Sequence, residues 1–252
     1  MRTPISKRIC RDFRSNFIRY AAIFTIIFCG IALGSGFFVV QKSVLQVYEA
    51  SLIDGNAEDG QISVAFPLNE QGLNALRHRT KEAEKIFSKE IAYTQEKTVR
   101  AFVNRKTINT AAYYEGRPPD SASEVSIDRL FAEANNWRVG DHVAFGGKSY
   151  VIVGVMALPD YSTMLKQRGD IMADDTHFGS ALFSQEGFDA LGEDALTYTY
   201  SFRWTLPLSD KESLEELTRL TESLIREGHT VTDAVIRPLN TNISYFRDDM
   251  GG

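Results

Sequence analysis

The chain has 252 residues, 43% hydrophobic and 24% charged, with 18 glycines and 7 prolines, a globular composition that excludes a disordered or collagen-like polymer. Two cysteines exclude a disulfide-dense scaffold, and a net charge of -5 gives no field that gathers nucleic acid. A mean hydropathy of -0.21 with one long apolar run excludes several membrane crossings within these residues, and the length suits one or two domains.

The charge is uneven along the chain. Arg2, Lys7, Arg8, Arg11, Arg14 and Arg19 against Asp12 give residues 1–19 a charge of +5, which leaves -10 on the rest. Residues 20–40, YAAIFTIIFCGIALGSGFFVV, carry no charge at all. As a helix rising about 1.5 Å per residue, such a run reaches roughly 30 Å, the thickness of a bilayer's hydrocarbon core. A buried core helix is disfavoured because few soluble domains cover a helix of this length on every face. A cleaved signal peptide is an alternative, since Ala32-Leu33-Gly34 places small residues at the right separation, but the apolar run continues through Phe37, Phe38, Val39 and Val40. The reading adopted is an uncleaved anchor. Its flanking cations Arg8, Arg11, Arg14 and Arg19 determine the topology, keeping residues 1–19 cytoplasmic and residues 41–252 extracytoplasmic. Cys10 and Cys29 then leave the exported part without a thiol, so it folds without disulfides.

Within the span, Gly30 and Gly34 form a G-x-x-x-G that lets a second membrane helix approach closely, although small residues are common in membrane helices in any case. Val44, Leu45, Tyr48 and Leu52 recur at helical spacing, so residues 41–56 read as a stalk continuing the helix, ended by Asp54-Gly55-Asn56.

The exported region contains a repeat. Residues 61–66 read as a strand running into Pro67-Leu68-Asn69 and then a helix with Leu73, Leu76, Ala83 and Phe87 on its apolar face. Residues 198–206 read as a strand running into Pro207-Leu208-Ser209 and a helix carrying Leu214, Leu217, Leu220, Leu224 and Ile225. Ser209 with Glu212 makes a capping box, and Gly228 a stop. Closing strands are expected at 91–103 and 230–237. Two such strand-helix-strand units make an α+β, split ferredoxin-like (βαβ repeat) subdomain over 57–114 and 195–238, both helices on one face.

Residues 115–194 read as an inserted β-rich subdomain. Gly116-Arg117-Pro118-Pro119-Asp120 is a turn, 124–127 a strand, 130–136 a short helix, and strands at 142–145 and 150–158 are joined by Gly146-Gly147-Lys148-Ser149. That junction resembles the end of a phosphate loop. The motif, however, needs glycine where His142 stands and a helix after Ser149, where a β-branched run follows, so a hairpin turn accounts for it. His78, His142, His177 and His229 show no metal-ligand spacing, and Asp174-Asp175-Thr176-His177 reads as an exposed acidic turn without a second ligand cluster. No Gly-x-Ser-x-Gly elbow occurs. The reading assigns no catalytic, cofactor-binding or metal residues, and no cofactor.

Taken in order, the N-terminal cations with Asn16-Phe17-Ile18-Arg19-Tyr20 and an apolar helix resemble the first part of an FtsX-like ABC transporter permease. Glu115-Gly116-Arg117-Pro118-Pro119, Glu124-Val125, Val139-Gly140-Asp141-His142-Val143, Tyr150-Val151-Ile152-Val153-Gly154-Val155, Pro159-Asp160-Tyr161 and Phe178-Gly179 are similar to that family's MacB-type extracytoplasmic core domain. The resemblance implies a permease that works with a cytoplasmic ABC ATPase subunit and a second permease copy or homologue, in contact with membrane lipid and not with nucleic acid. It also implies that membrane-helix movements pass through the stalk to an extracytoplasmic domain that exports, extracts or senses a substrate. The family has three further membrane helices after this domain. Residues 239–252, with Ile243, Phe246 and Met250 at helical spacing, therefore read as the start of a second stalk helix, truncated, and the chain as an N-terminal fragment. The competing reading is a single-span membrane-anchored sensor or ligand-binding protein, and a third is an anchored hydrolase, disfavoured by the missing constellations.

Overall fold

The computed structural model describes residues 4–167, 169–192 and 196–251. It divides into two units, Met1–Tyr48 and Glu49–Gly252. The first holds α1 (Pro4–Ser15) and most of α2 (Phe17–Asp54), whose last residues belong to the second unit. Helix α2 is, among the described residues, the one helix long and apolar enough to cross a membrane, with an 18-residue window of mean hydropathy 2.4. It starts three residues before the expected span, so Arg19 lies in its first turn. The basic segment is itself helical: Ile5, Ile9 and Phe13 recur every fourth residue, a periodicity masked in the sequence by the cations between them. Asn16 interrupts the two helices, its amide bonding Asp12 Oδ1 at 3.1 Å. At the far end Asn56 adopts φ 48°, a left-handed conformation that asparagine tolerates, and the stalk helix stops as expected.

The second unit runs β1 (Gly60–Val64), α3 (Glu70–Arg79), β2 (Thr80–Lys85), β3 (Ser88–Ala92), β4 (Thr98–Val103), β5 (Ala112–Gly116), β6 (Glu124–Asp128), α4 (Arg129–Ala134), β7 (His142–Phe145), β8 (Lys148–Ala157), β9 (Phe178–Phe183), α5 (Gln185–Asp189), β10 (Leu196–Trp204), α6 (Asp210–Arg226), β11 (Val231–Ile236) and α7 (Thr241–Gly251). Strands β11, β1, β10 and β2 lie side by side, each antiparallel to its neighbour. With α3 and α6 as crossovers, this is the interleaved βαβ arrangement of a ferredoxin-like fold. Alternation along β1 and β10 turns Ile62, Val64, Tyr200 and Phe202 toward Leu76 of α3 and Leu217, Leu220 and Leu224 of α6. Truncating any one of these leucines costs about 2–5 kcal/mol. Asn69 caps α3 through Gly72 N, and the Ser209–Glu212 capping box forms as the sequence indicates.

Two expectations are corrected here. The first repeat helix does not reach Phe87: it ends at Arg79, where Thr80 turns extended and its hydroxyl donates to Leu76 O at 2.9 Å. Ala83 sits in β2 opposite Phe202, and Phe87 follows β2 with its ring 5.1 Å from that of Tyr198. The segment Thr-Lys-Glu-Ala-Glu-Lys is compatible with helix, but pairing with β10 outweighs local propensity. The single closing strand expected at 91–103 is a hairpin, β3 and β4, and it packs in the second core. The strand that closes the first repeat is β2.

The second sheet has the order β3-β4-β9-β6-β8-β5, with β7 paired to β8, and includes two parallel pairs, β4 with β9 and β6 with β8. Val99, Ala101, Val125, Ile127, Phe131, Phe145, Tyr150 and Phe183 fill its core. The start of β10 pairs with β3 through Leu196 and Lys89, joining both sheets into one continuous set of strands. Gly146 and Gly147, at φ 56° and 78°, form a two-residue turn between β7 and β8, so the phosphate-loop lookalike is a hairpin tip and Lys148 donates to Ala190 O at 2.7 Å. The expected boundary at residues 194 and 195 lies outside the described residues.

Candidate functional site

The chain comes into the α+β domain at residues 55–59 and leaves it at residues 237–242, and these segments lie side by side. Strand β1 pairs with β11, Gly60 opposite Ile236, and Arg237 N donates to Asp59 O at 2.8 Å. Between them Glu58 is fully buried. Its Oε2 accepts from Asn109 Nδ2 at 2.9 Å and from the Ser201 hydroxyl at 2.5 Å, and its Oε1 accepts from Asn240 Nδ2 at 3.2 Å. Its backbone N–H donates to Asn109 Oδ1 at 2.9 Å. One carboxyl therefore ties the incoming segment, the 105–110 loop, β10 and the outgoing segment. Burial, reinforced by the Asp160 carboxylate, pushes its pKa up.

Arg105 supplies the buried cation. Its side chain and that of Asp160 are each 1% accessible, its Nη1 donates to Asp160 Oδ1, and its guanidinium lies 4.6 Å from the Phe102 ring centroid. Burial raises the Asp160 pKa while Arg105 opposes the rise. The loop that carries Arg105 and Asn109 is fastened by Glu84, whose carboxylate accepts from the backbone N–H of Lys106 at 2.9 Å, Thr107 at 3.0 Å and Ile108 at 2.6 Å. Thr110 N donates to Gly55 O at 2.8 Å, and Asn56 Nδ2 to Thr107 O at 2.5 Å. Helix α7 is fastened at its first turn: the Ser162 hydroxyl and Thr163 N donate to Asn242 O at 2.9 and 3.0 Å, and Leu165 N donates to Asn242 Oδ1 at 3.1 Å. Such a network is stiff, because breaking any member strands a buried polar group at about 1–3 kcal/mol, and more for a charge. It can pass a displacement between the two chain ends and both sheets.

The residues singled out from sequence belong to the first unit. Arg8, Arg11 and Arg14 are exposed on α1 and Arg19 on α2. Gly30 and Gly34, four residues apart and so on one face of α2, would admit a Cβ with nothing within 4 Å. Among the described residues no group of three or more His, Cys, Asp or Glu is placed to hold a metal. Asp174 and His177 contact each other, Oδ2 to Nδ1 at 2.8 Å, on the exposed surface. The Glu115 to Val125 motif is a clamp: Glu124 takes two bonds from Arg117, at 2.9 and 2.7 Å, and one from Asp120 N at 2.8 Å, which hold its pKa down at about 2. The Glu58 network was not anticipated. Its one local signal is Asn56 followed by Glu58-Asp59, polar residues just before an apolar strand.

No protein-family model matches the chain, and no curated protein matches it at a significant level. Among solved structures, the extracellular domain of the noncanonical ABC-type transporter YknZ from Gram-positive bacteria covers 69% of this chain and 100% of its own length, at 13% identity and a TM-score of 0.39. The periplasmic region of MacB from Actinobacillus actinomycetemcomitans covers 78% of this chain and 96% of its own, at 11% identity and a TM-score of 0.41. The structural neighbours of the chain include, at this low identity, extracellular and periplasmic domains of ABC-type transporters.

Proposed function

We propose that these residues form the first membrane helix and the extracytoplasmic domain of a permease of the FtsX-like ABC transporter family. In this reading residues 1–19 stay cytoplasmic under their basic charge, α2 crosses the membrane with Gly30 and Gly34 packing a neighbouring helix, and the α+β domain lies outside. Energy comes from ATP hydrolysed by a cytoplasmic partner subunit, a second permease copy or homologue completes the assembly, and the domain moves to export, extract or sense a substrate. The observation that carries the reading is the juxtaposition of the incoming and outgoing segments around Glu58, since helices attached to both would act on one buried network.

The test is topology together with partnership. On intact cells a membrane-impermeant thiol reagent should label a Lys148→Cys variant and leave Cys10 untouched, and the detergent-extracted protein should co-isolate with an ATPase whose turnover depends on it. Labelling of Cys10 with protection of position 148 overturns the orientation; ATPase turnover indifferent to this protein overturns the permease assignment.

A further inference from the structure

The ferredoxin-like sheet is apolar on the face covered by α3 and α6 and polar on the other. Alternation with Ile62, Val64 and Tyr200 turns Gln61 and Ser63 of β1, and Thr197 and Thr199 of β10, to that second face. The first turn of α7 and the 161–166 segment stand beside it and border an open cavity of about 190 Å³. A space of that size holds several waters or one small molecule.

Its lining is unusual in what remains unpaired. Ser63 Oγ and Thr199 Oγ1 satisfy each other at 2.8 Å. The side chains of Gln61, Ser88 and Thr197, by contrast, have no hydrogen-bond partner among the described residues and are free to bond a guest: Ser88 is 8% accessible, Gln61 half-buried and Thr197 exposed at the mouth. The Lys166 ammonium is exposed and, among the described residues, forms no ion pair; it stands 5.9 Å from the Phe178 ring. Arg100 stands beside it, fixed by Glu90 at 2.6 Å, the Lys166 carbonyl at 2.7 Å and the Tyr161 hydroxyl at 3.3 Å. Two cations against the single acid Glu90 leave the described lining with one positive charge.

We propose that this cavity is a binding site for a small carboxylate that also bears hydroxyl groups. Lys166, with Arg100 behind it, neutralises the carboxylate, and Gln61, Ser88 and Thr197 bond the hydroxyls. Asn242 of α7 forms part of the same wall, so the bound molecule touches the sheet, the 161–166 segment and α7 together, and occupancy is linked to the position of α7. The site stands whether or not the chain is a permease subunit.

The test is calorimetric titration of the full chain in detergent with D-glucuronate, D-glucose and acetate. Glucose keeps the ring and hydroxyls without the charge, and acetate keeps the charge alone. Glucuronate should bind saturably and at least about tenfold tighter than either, a difference of ~1.4 kcal/mol. Lys166→Gln, at an exposed position, should weaken glucuronate by about tenfold or more while leaving the melting temperature unchanged, and Lys211→Gln on α6 should change nothing. Absence of saturable glucuronate binding at millimolar concentration, equal affinity for the three compounds, or glucuronate binding unaffected by Lys166→Gln would each overturn the site.

Discussion

Replacing Arg105 by methionine removes the cation that serves two buried acids, and with it the guanidinium that lies over the Phe102 ring, while keeping an unbranched side chain in its place. Asp160, 1% accessible, and Glu58, fully buried, would then face each other without compensation. Stranding one partner of a buried pair costs about 3–5 kcal/mol, a large share of the roughly 5–15 kcal/mol that holds a domain folded. Replacing the whole pair by apolar groups is close to neutral, so Arg105→Met with Asp160→Leu should lose less than the sum of the two single variants by at least ~2 kcal/mol. The assay is urea unfolding at pH 7.5, followed by the fluorescence of Trp137 in the second core and Trp204 in the first. The pH dependence gives a second check. Asp160 already has a raised pKa, and losing Arg105 raises it further, so its destabilising contribution grows as pH climbs through that value and fades in acid. The deficit of Arg105→Met should therefore shrink toward pH 5. A loss under ~1 kcal/mol, strict additivity, or a deficit independent of pH would refute the reasoning.

Asp128 is 6% accessible, and burial raises its pKa from 3.8 to about 6. The protonated folded form is favoured, so its contribution is fully present below pH 3.8 and lost as pH rises through 6. Asp128→Asn, which keeps an acceptor for Phe131 N, should stabilise the protein at pH 8 by up to ~3 kcal/mol and make no difference near pH 4, as read from parallel denaturation curves. Gly116 has φ +74°, and a Cβ there would stand 2.0 Å from Val153 O; Gly116→Ala should lose on the order of 1–3 kcal/mol, whereas an unchanged unfolding midpoint would show that β5 can shift. Lys148→Ala removes a single bond at a hairpin tip and should leave both stability, within ~1 kcal/mol, and the ATP turnover of the proposed partner subunit unchanged. A collapse of turnover would reinstate the phosphate-loop reading.

What the sequence made legible were features decided by neighbours in the chain. The capping box at Ser209 and Glu212, the Gly146-Gly147 turn, the stop at Gly55-Asn56 and the two Pro-Leu-polar turns each follow from a handful of adjacent residues, and the βαβ repeat follows from them. Where long-range pairing decides, the reading failed. Residues 80–85 become a strand because β10 stands beside them, and β3 and β4 join the second core because β4 finds β9 across 74 intervening residues of different character. The Glu58, Arg105 and Asp160 cluster was illegible for the same reason. Charged residues are read as exposed by default, and only contacts such as Glu58 to Ser201 and to Asn240, more than a hundred positions apart, reverse that default.

The central claim is that motion is delivered to this domain through its two chain ends. Spin labels at Ile53→Cys, an exposed position near the end of α2, and Arg247→Cys on α7, with Cys10 and Cys29 replaced by serine, report the separation of those ends by pulsed electron resonance. In the membrane-embedded protein assembled with the ATPase subunit proposed above, the account predicts a distance distribution that shifts between the nucleotide-free and ATP-trapped states. A distribution identical in both states, in an assembly that hydrolyses ATP, would contradict it.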